Sequence, residues 1–265
     1  MIEIKNLKFR YDGSNVNALD GVTLTLPKGK YIAILGHNGS GKSTLSKLLV
    51  GLYKPTEGEI IIDGIKMRIN SLKDIRKKIG IIFQNPDNQF IGSSVEDDIA
   101  FGLENHCVPR DEIEKRVNSY AKKVGMEKFL EREPHTLSGG QKQKVAIASI
   151  LALDPQIIIF DEITSMLDPK GKKEVLNLIK EIQKYQEKTL ISITHDMDEA
   201  IQADHILVFA KGKLIAEGNP EAILKNKEII KIAKIDSPFI YKLSSKIKDI
   251  KPVYDAQELI GEIWK

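Results

Sequence analysis

An α/β fold organised on a parallel sheet is what this sequence predicts, and three observations carry that reading. Short, nearly unbroken apolar runs recur along the chain, helical patterns separate them, and a glycine-rich turn joins the first such run to a helix. A strand buried on both faces has no reason to alternate, so a continuous apolar run of strand length is its signature. Such strands alternating with helices fold as a parallel sheet with both faces covered.

The elements follow in order. "IEIKNLKFRY" (2–11) and "LDGVTLTLPKG" (19–29) alternate with period two and close in turn residues, so each is a strand with one buried face. "YIAILG" (31–36) is the first unbroken run, and a helix is expected to begin near Lys42. Similar runs are "IGIIF" (79–83), "QIIIFDE" (156–162) and "TLISITH" (189–195). From Gln84, "QNPDNQFIGSSVEDDIAFGL" begins as an exposed polar turn, with Pro86 stopping the strand, and ends as a helix. Helical patterns cover 138–153 and 171–185, and "HILVFAKGKLIAEG" (205–218) reads as a closing hairpin. Beyond about residue 220 the chain is lysine-rich and mostly helical, so Gly218 is the expected boundary between a main domain, 1–218, and an appended helical region, 219–265.

The 265 residues are 42% hydrophobic, enough for one large core with an appendage. A net charge of +3, from 40 basic and 37 acidic residues, argues against a dedicated nucleic-acid binder. The single cysteine, Cys107, excludes an internal disulfide framework and fits a reducing compartment. The N-terminus lacks the apolar core of a signal peptide, and no apolar run reaches the length of roughly 20 residues that a membrane span needs. A soluble chain is expected, able to lie against a membrane through a partner.

"GHNGSGKS" fits the P-loop pattern of glycine, four residues, then Gly-Lys-Ser. Gly36, Gly39 and Gly41 allow the backbone to approach an anion without a clashing Cβ, and the amides form a nest at a helix N-terminus. The run of Gly36, His37, Asn38, Gly39, Ser40, Gly41, Lys42, Ser43 and Thr44 is therefore a candidate cradle for ATP. Lys42 would bridge the β- and γ-phosphates, and the Ser43 hydroxyl would bind Mg2+. "IIIFDE" ends a buried strand in Asp161 and Glu162, at the strand end where ligands of such sheets bind. Asp161 is the candidate for the magnesium shell and Glu162 for orienting a water, so the pair points to hydrolysis or phosphoryl transfer. In "LSGGQ", Ser138, Gly139, Gly140 and Gln141 open a second helix with a second amide-rich turn. A helix N-cap accounts for Ser138 alone, whereas two phosphate cradles on one chain suggest that each caps a nucleotide held by another copy or a relative.

Together these residues resemble an ATP-binding cassette (ABC) ATPase over roughly 1–220: Tyr11, GHNGSGKS, Gln84, LSGGQ, IIIFDE, "SMLD" (165–168) and His195 stand in the family's order. The resemblance implies a P-loop NTPase of the ABC ATPase type, with an antiparallel β subdomain, a helical subdomain over about 85–150 and a small C-terminal appendage. It implies that Tyr11 stacks on adenine, that Gln84 reaches magnesium and the attacking water, and that Glu162 is the general base. His195 would contact the γ-phosphate and Asp168 would couple two sites across a dimer. More finely, "QNPDNQ" (84–89), "VEDDIAFGLEN" (95–105), "EPHTLSGGQKQ" (133–143), "TSMLDP" (164–169) and "THDMDEA" (194–200) resemble the A-type ATPase of energy-coupling factor (ECF) transporters, the first of the paired ATPases. That resemblance implies an ATPase at the cytoplasmic face of the membrane. It would pair with a related ATPase, or with itself in isolation, and dock on a membrane T subunit that works with a substrate-binding S subunit to import vitamins or transition-metal ions. Two residues depart from the family pattern: Lys144 stands where arginine is usual, and Ile163 where alanine is.

Competing readings explain less. A soluble ABC protein of DNA repair or translation needs insertions, zinc modules or a second cassette that this sequence does not contain, and a P-loop kinase leaves LSGGQ and His195 without a purpose. Within transport, the alternative is the ATPase of a conventional importer or of a dedicated cobalt or nickel importer.

Overall fold

The computed structural model describes all residues except 185, 186, 248, 249, 251, 255 and 265. Its first strands, β1 (Ile2–Phe9) and β2 (Leu19–Leu26), pair antiparallel, as the resemblance implies, and their alternation buries one face. β3 (Tyr31–Leu35) then runs through the P-loop into α1 (Lys42–Leu49). β4 (Glu57–Ile62) and β5 (Ile65–Lys66) complete a four-stranded sheet of order β2-β1-β4-β5. After α2 (Leu72–Arg76) come β6 (Ile79–Ile82), α3 (Val95–Asn105), α4 (Arg110–Lys123) and α5 (Gly139–Ala152). β7 (Ile157–Asp161), α6 (Pro169–Lys184), β8 (Thr189–Ile193), α7 (Met197–Ala200) and the hairpin of β9 (His205–Ala210) and β10 (Lys213–Gly218) follow. The second sheet has the order β10-β9-β3-β8-β7-β6, parallel except at the hairpin. The expected end of the helix at residue 185 lies outside the described residues.

The unbroken runs are buried throughout: every residue of β3, β7 and β8 is in the interior. Their alternating side chains feed two separate cores. Tyr31, Ala33, Leu35, Ile158 and Phe160 face the core covered by α3, α5 and α6. Ile32, Ile34, Ile157 and Ile159 face the opposite one, closed by α1 and the antiparallel sheet.

The segment from 219 onward forms α8 (Pro220–Lys225), α9 (Lys227–Ala233), α10 (Phe239–Ser244) and α11 (Ala256–Ile263). The first two pack onto the main body: Ile223, Leu224 and Ala233 are buried in the core beneath β9. The Ala233 carbonyl also accepts the His37 amide at 3.1 Å, so this stretch reaches the P-loop itself. No helix among the described residues is long and apolar enough to cross a membrane.

Truncation therefore should behave differently at two points. Stopping at Gly218 removes buried Ile223 and Leu224, each worth about 1.5–3 kcal/mol, together with the His37–Ala233 bond. Both melting temperature and ATP affinity are expected to fall. Stopping after Ile235 retains these contacts and should preserve ATP binding. Equal ATP affinity of the two truncations, measured by titration calorimetry, would contradict this packing argument.

Candidate active site

Four segments converge because they leave the carboxyl ends of adjacent parallel strands: the P-loop from β3, His195 from β8, Asp161 and Glu162 from β7, and Gln84 from β6. That edge is where open α/β sheets bind ligands. Gly41, with φ of 105°, turns the loop into α1; a Cβ there would stand 2.6 Å from the Ala18 carbonyl oxygen. Lys42 is folded back into the loop, its Nζ donating to the carbonyls of Gly36 at 2.8 Å and His37 at 3.2 Å. Its side chain is only 4% exposed and lies 4.0 Å from Glu162 Oε1. Burial pulls the Lys42 pKa down, and the charges of Glu162 and Asp161 pull it back up. Ser40 Oγ is buried in the same loop without a hydrogen-bond partner among the described residues, an orphaned polar atom where a phosphate oxygen would satisfy it.

Asp161 is held by α1. Ser43 Oγ donates to its Oδ1 at 3.0 Å, and Ser46 Oγ to its Oδ2 at 3.1 Å. Burial pushes the Asp161 pKa up, opposed by these two hydroxyls. Ser46 is a site residue that no motif marks; its signal is position, since a hydroxyl three residues after Ser43 shares its helix face. Glu162 takes a left-handed backbone, φ of 53°, uncommon for a residue with a side chain. Its Oε2 lies 3.4 Å from Gln84 Nε2 and 3.6 Å from His195 Nδ1. Gln84 also donates to Ser165 Oγ at 3.0 Å, and so faces Glu162 rather than the Ser43–Asp161 pair.

The LSGGQ turn is a capping box. The Ser138 amide donates to Gln141 Oε1 at 2.9 Å, and Ser138 Oγ accepts the Gln141 amide at 3.4 Å. The N-cap reading thus explains Gln141 as well as Ser138, and the Ser-x-x-Gln spacing is that of a capping box. Gly139 and Gly140 lie against the start of α6 and the loop before it: a Cβ on Gly139 would meet Leu167 Cδ2 at 3.6 Å and one on Gly140 would meet Gly171 Cα at 3.4 Å. Asp168 Oδ1 accepts the Gly171 amide at 3.1 Å, at the start of α6. Tyr11 is 40% exposed; its hydroxyl pairs with Thr44 Oγ1 at 2.9 Å and its ring packs edge-on against Phe9 and Tyr53.

The α5 helix is wired to the Gln84 segment. Gln143, fully buried, donates to the Gln84 carbonyl at 3.1 Å, and Lys142 pairs with Asp87 at 2.6 Å. Asn85 caps the turn that Pro86 opens, and Asp98 from α3 accepts the amides of Ile91 and Gly92 at 2.8 and 3.0 Å. These contacts join the Gln84 segment to the helix that begins with the second glycine turn. As for the two departures, Lys144 pairs with Glu174 of α6 at 2.5 Å, and Ile163 is buried in the core, 2% exposed.

The sequence and the fold are shared with known proteins. Residues 19–165 match the family model described as "ABC transporter". The chain is 66% identical over its full length to the energy-coupling factor transporter ATP-binding protein EcfA1 of Mycoplasma mobile, covering 97% of that protein. It is 49% identical over its full length to the EcfA1 of Bacillus subtilis, covering 96% of it. Among solved structures it superposes on cbiO1 of Clostridium perfringens, part of the ABC transporter complex cbiONQ, with a TM-score of 0.77 and 39% identity, over 87% of this chain and 92% of that one. The cassette MJ0796, solved as a dimer in a post-hydrolysis state bound to ADP and Pi, aligns with a TM-score of 0.75 and 33% identity over 83% of this chain and 99% of its own. The chain is an ATP-binding, ATP-hydrolysing member of the ABC transporter family, and within it belongs to the energy-coupling factor transporter ATP-binding proteins.

Proposed function

We propose that this chain is one half of a nucleotide-sandwich pair that drives an ECF-type importer from the cytoplasmic face of the membrane. The observation that carries the reading is the meeting of Lys42, Gln84 and His195 on Glu162, each within 4.0 Å of its carboxylate, beside the Ser43–Asp161 pair. In it, the loop of Gly36 to Thr44 cradles the phosphates, Lys42 neutralises them, and Tyr11 supports the adenine. Bound Mg2+ would supply electrostatic stabilisation of the phosphate charge. Its fit rests on oxygen chemistry: Ser43 and Asp161 offer one hydroxyl and one carboxylate, the sparse donor set of a magnesium ion shared with substrate phosphates. Gln84, whose amide here faces Glu162 and Ser165, would be the third residue of that set. Glu162 takes the proton of the attacking water, and His195 orients against the γ-phosphate. Ser138, Gly139, Gly140 and Gln141 cap the nucleotide of the facing ATPase, with Asp168 beside them. The similarity to EcfA1 proteins favours a related ATPase as partner, with a membrane T subunit and a substrate-binding S subunit completing the importer.

The coupling surface proposed is the 84–94 segment. Phe90 is partly buried against the main core while Ile91 is 66% exposed, and Phe90 lines a shallow cleft with Asp87, Pro134 and His135. A helix of the T subunit seated there would feel movement of Gln84 through Asp87, Lys142 and Gln143. Phe90→Asp is expected to reduce vitamin or metal uptake by the reconstituted importer at least tenfold while the isolated ATPase pair keeps its turnover. Uptake and assembly both at parental level would remove support for docking at this segment.

A further inference from the structure

Behind the nucleotide-facing residues lies a buried polar cluster that none of the steps above uses. Glu199, on α7, is 2% exposed, and so is Thr194; Ser192 is 1% exposed and Thr164 6%. The Glu199 carboxylate accepts a short bond from Ser192 Oγ on Oε1. Its Oε2 accepts two more, from Thr164 Oγ1 at 3.0 Å and from Thr194 Oγ1 at 3.1 Å. An ionised carboxylate only accepts, so Thr194 Oγ1 donates its proton to Glu199 while accepting the Asp196 amide at 3.0 Å. Asp196 Oδ1 in turn accepts the Asp198 and Glu199 amides, at 2.9 and 3.0 Å, so the turn that carries His195 is bonded closed onto α7. Burial pushes the Glu199 pKa up while the three hydroxyls hold it back. Tyr31 of β3 flanks the cluster, its own pKa raised by burial first and by Glu199 second.

A carboxyl group in a core is expensive, and an apolar side chain of that size would usually be better for stability alone. The positions of its donors suggest what it does. Thr164 stands two residues after Glu162, and Thr194 immediately precedes His195. The β7–β8 ladder ends with Asp161 opposite Ile193, followed by one bond from the Glu162 amide to the Ile193 carbonyl at 2.9 Å. Beyond that point the Thr164–Glu199–Thr194 bridge ties the two turns again, through a single oxygen.

We propose that Glu199 is a positioning residue for ATP hydrolysis, fixing the turn of Glu162 against the turn of His195 by holding Thr164 and Thr194 on one carboxylate oxygen. The inference rests on the roles assigned above to Glu162 and His195. It separates from a purely structural role because the cluster has a third donor, Ser192, inside strand β8 and attached to neither turn. Loss of any donor should cost stability, but only loss of the threonine hydroxyls should loosen the reacting groups.

The test is steady-state ATP hydrolysis by the full chain in its active pair. Thr164→Val and Thr194→Val, nearly isosteric, should each lower kcat about tenfold with KM for ATP within about twofold of the parent. Thr164→Ser and Thr194→Ser keep the hydroxyl and should restore most of the rate. Ser192→Ala should lower the melting temperature yet keep kcat within about twofold. Glu199→Met, which keeps the length but removes both acceptor oxygens, gives a second route if a valine variant fails to fold, and should show the same loss in kcat at unchanged KM. Valine and methionine variants at parental kcat would overturn the proposal, as would a loss in Ser192→Ala equal to that of the threonine variants. Measured alongside, an inactive Glu162→Gln with fully active threonine variants would reject only the positioning role; an active Glu162→Gln would reject the site reading beneath it.

Discussion

Replacing Glu162 by glutamine should lower ATP turnover by about 10²–10⁴-fold, the usual contribution of a positioned general base. The side chain is 15% exposed and is the point on which the other site groups meet, with Lys42 at 4.0 Å on one oxygen and Gln84 and His195 on the other. Glutamine keeps the volume and an oxygen for these contacts but cannot take a proton from water. Asp161, bonded to Ser43 and Ser46, is untouched, so ATP affinity should stay within a few-fold of the parent. Phosphate release under saturating ATP measures the first effect and binding of a fluorescent ATP analogue the second. Near-parental turnover would mean that another group accepts the proton.

Gly36→Ala should all but eliminate nucleotide binding, through the backbone rather than through lost chemistry. At Gly36 φ is +149°, and an added Cβ would fall 2.2 Å from the Phe209 carbonyl oxygen and 2.7 Å from Ser40 Oγ. Ser40 could rotate. Phe209 cannot withdraw, because it is fully buried in β9, where Leu214 of β10 is its partner. The P-loop must therefore move, carrying with it the Gly36 carbonyl that accepts from Lys42. A loss of several kcal/mol is expected, shared between melting temperature and ATP affinity. Gly39 gives the contrast: its φ of +80° disfavours a side chain, but a Cβ would meet nothing within 4 Å. Gly39→Ala should cost only about 1 kcal/mol, from the left-handed conformation alone. Parental ATP affinity in Gly36→Ala, by the same titration, would refute the close approach.

Residues that act through their immediate neighbours in the chain are legible in the sequence. The strands of the parallel sheet, the P-loop and the acids at a strand end declare themselves through continuous apolar runs and short spacings. The elements that are harder to read bury less or pair at long range. Within β4, "EGEIII" becomes apolar only at its end and is completed by pairing with β1, some fifty residues away. Charged residues dominate α4, which buries only Val117 and Ala121, so its periodicity is faint. The start of the C-terminal region reads as separate because its lysines are plentiful, yet Ile223, Leu224 and Ala233 sit in the core. In the site, Gln84 and His195 both lie against Glu162; Gln143, Thr164, Thr194 and Glu199 fall inside stretches that carry the resemblance but had no role assigned there, and Ser46 and Ser192 lie outside them. Ser192 and Glu199 belong to β8 and α7, Thr164 and Thr194 to the loops that follow β7 and β8, and single hydroxyls carry no pattern. Gln141 shows the reverse case, a residue assigned to a ligand whose side chain also has a local capping partner.

The central claim is that one chain carries a phosphate cradle and a separate glycine turn that completes the cradle of another. The most direct test is the solution mass of the Glu162→Gln chain by light scattering, with and without saturating ATP. Binding of ATP is followed in the same sample by a fluorescent analogue competed from the P-loop. The account predicts that the mass doubles when ATP binds and that Ser138→Arg, at the turn opening α5, abolishes the doubling without weakening binding to the monomer. ATP bound at full occupancy with an unchanged mass both alone and with a related ATPase added, or a doubling indifferent to Ser138→Arg, would contradict it.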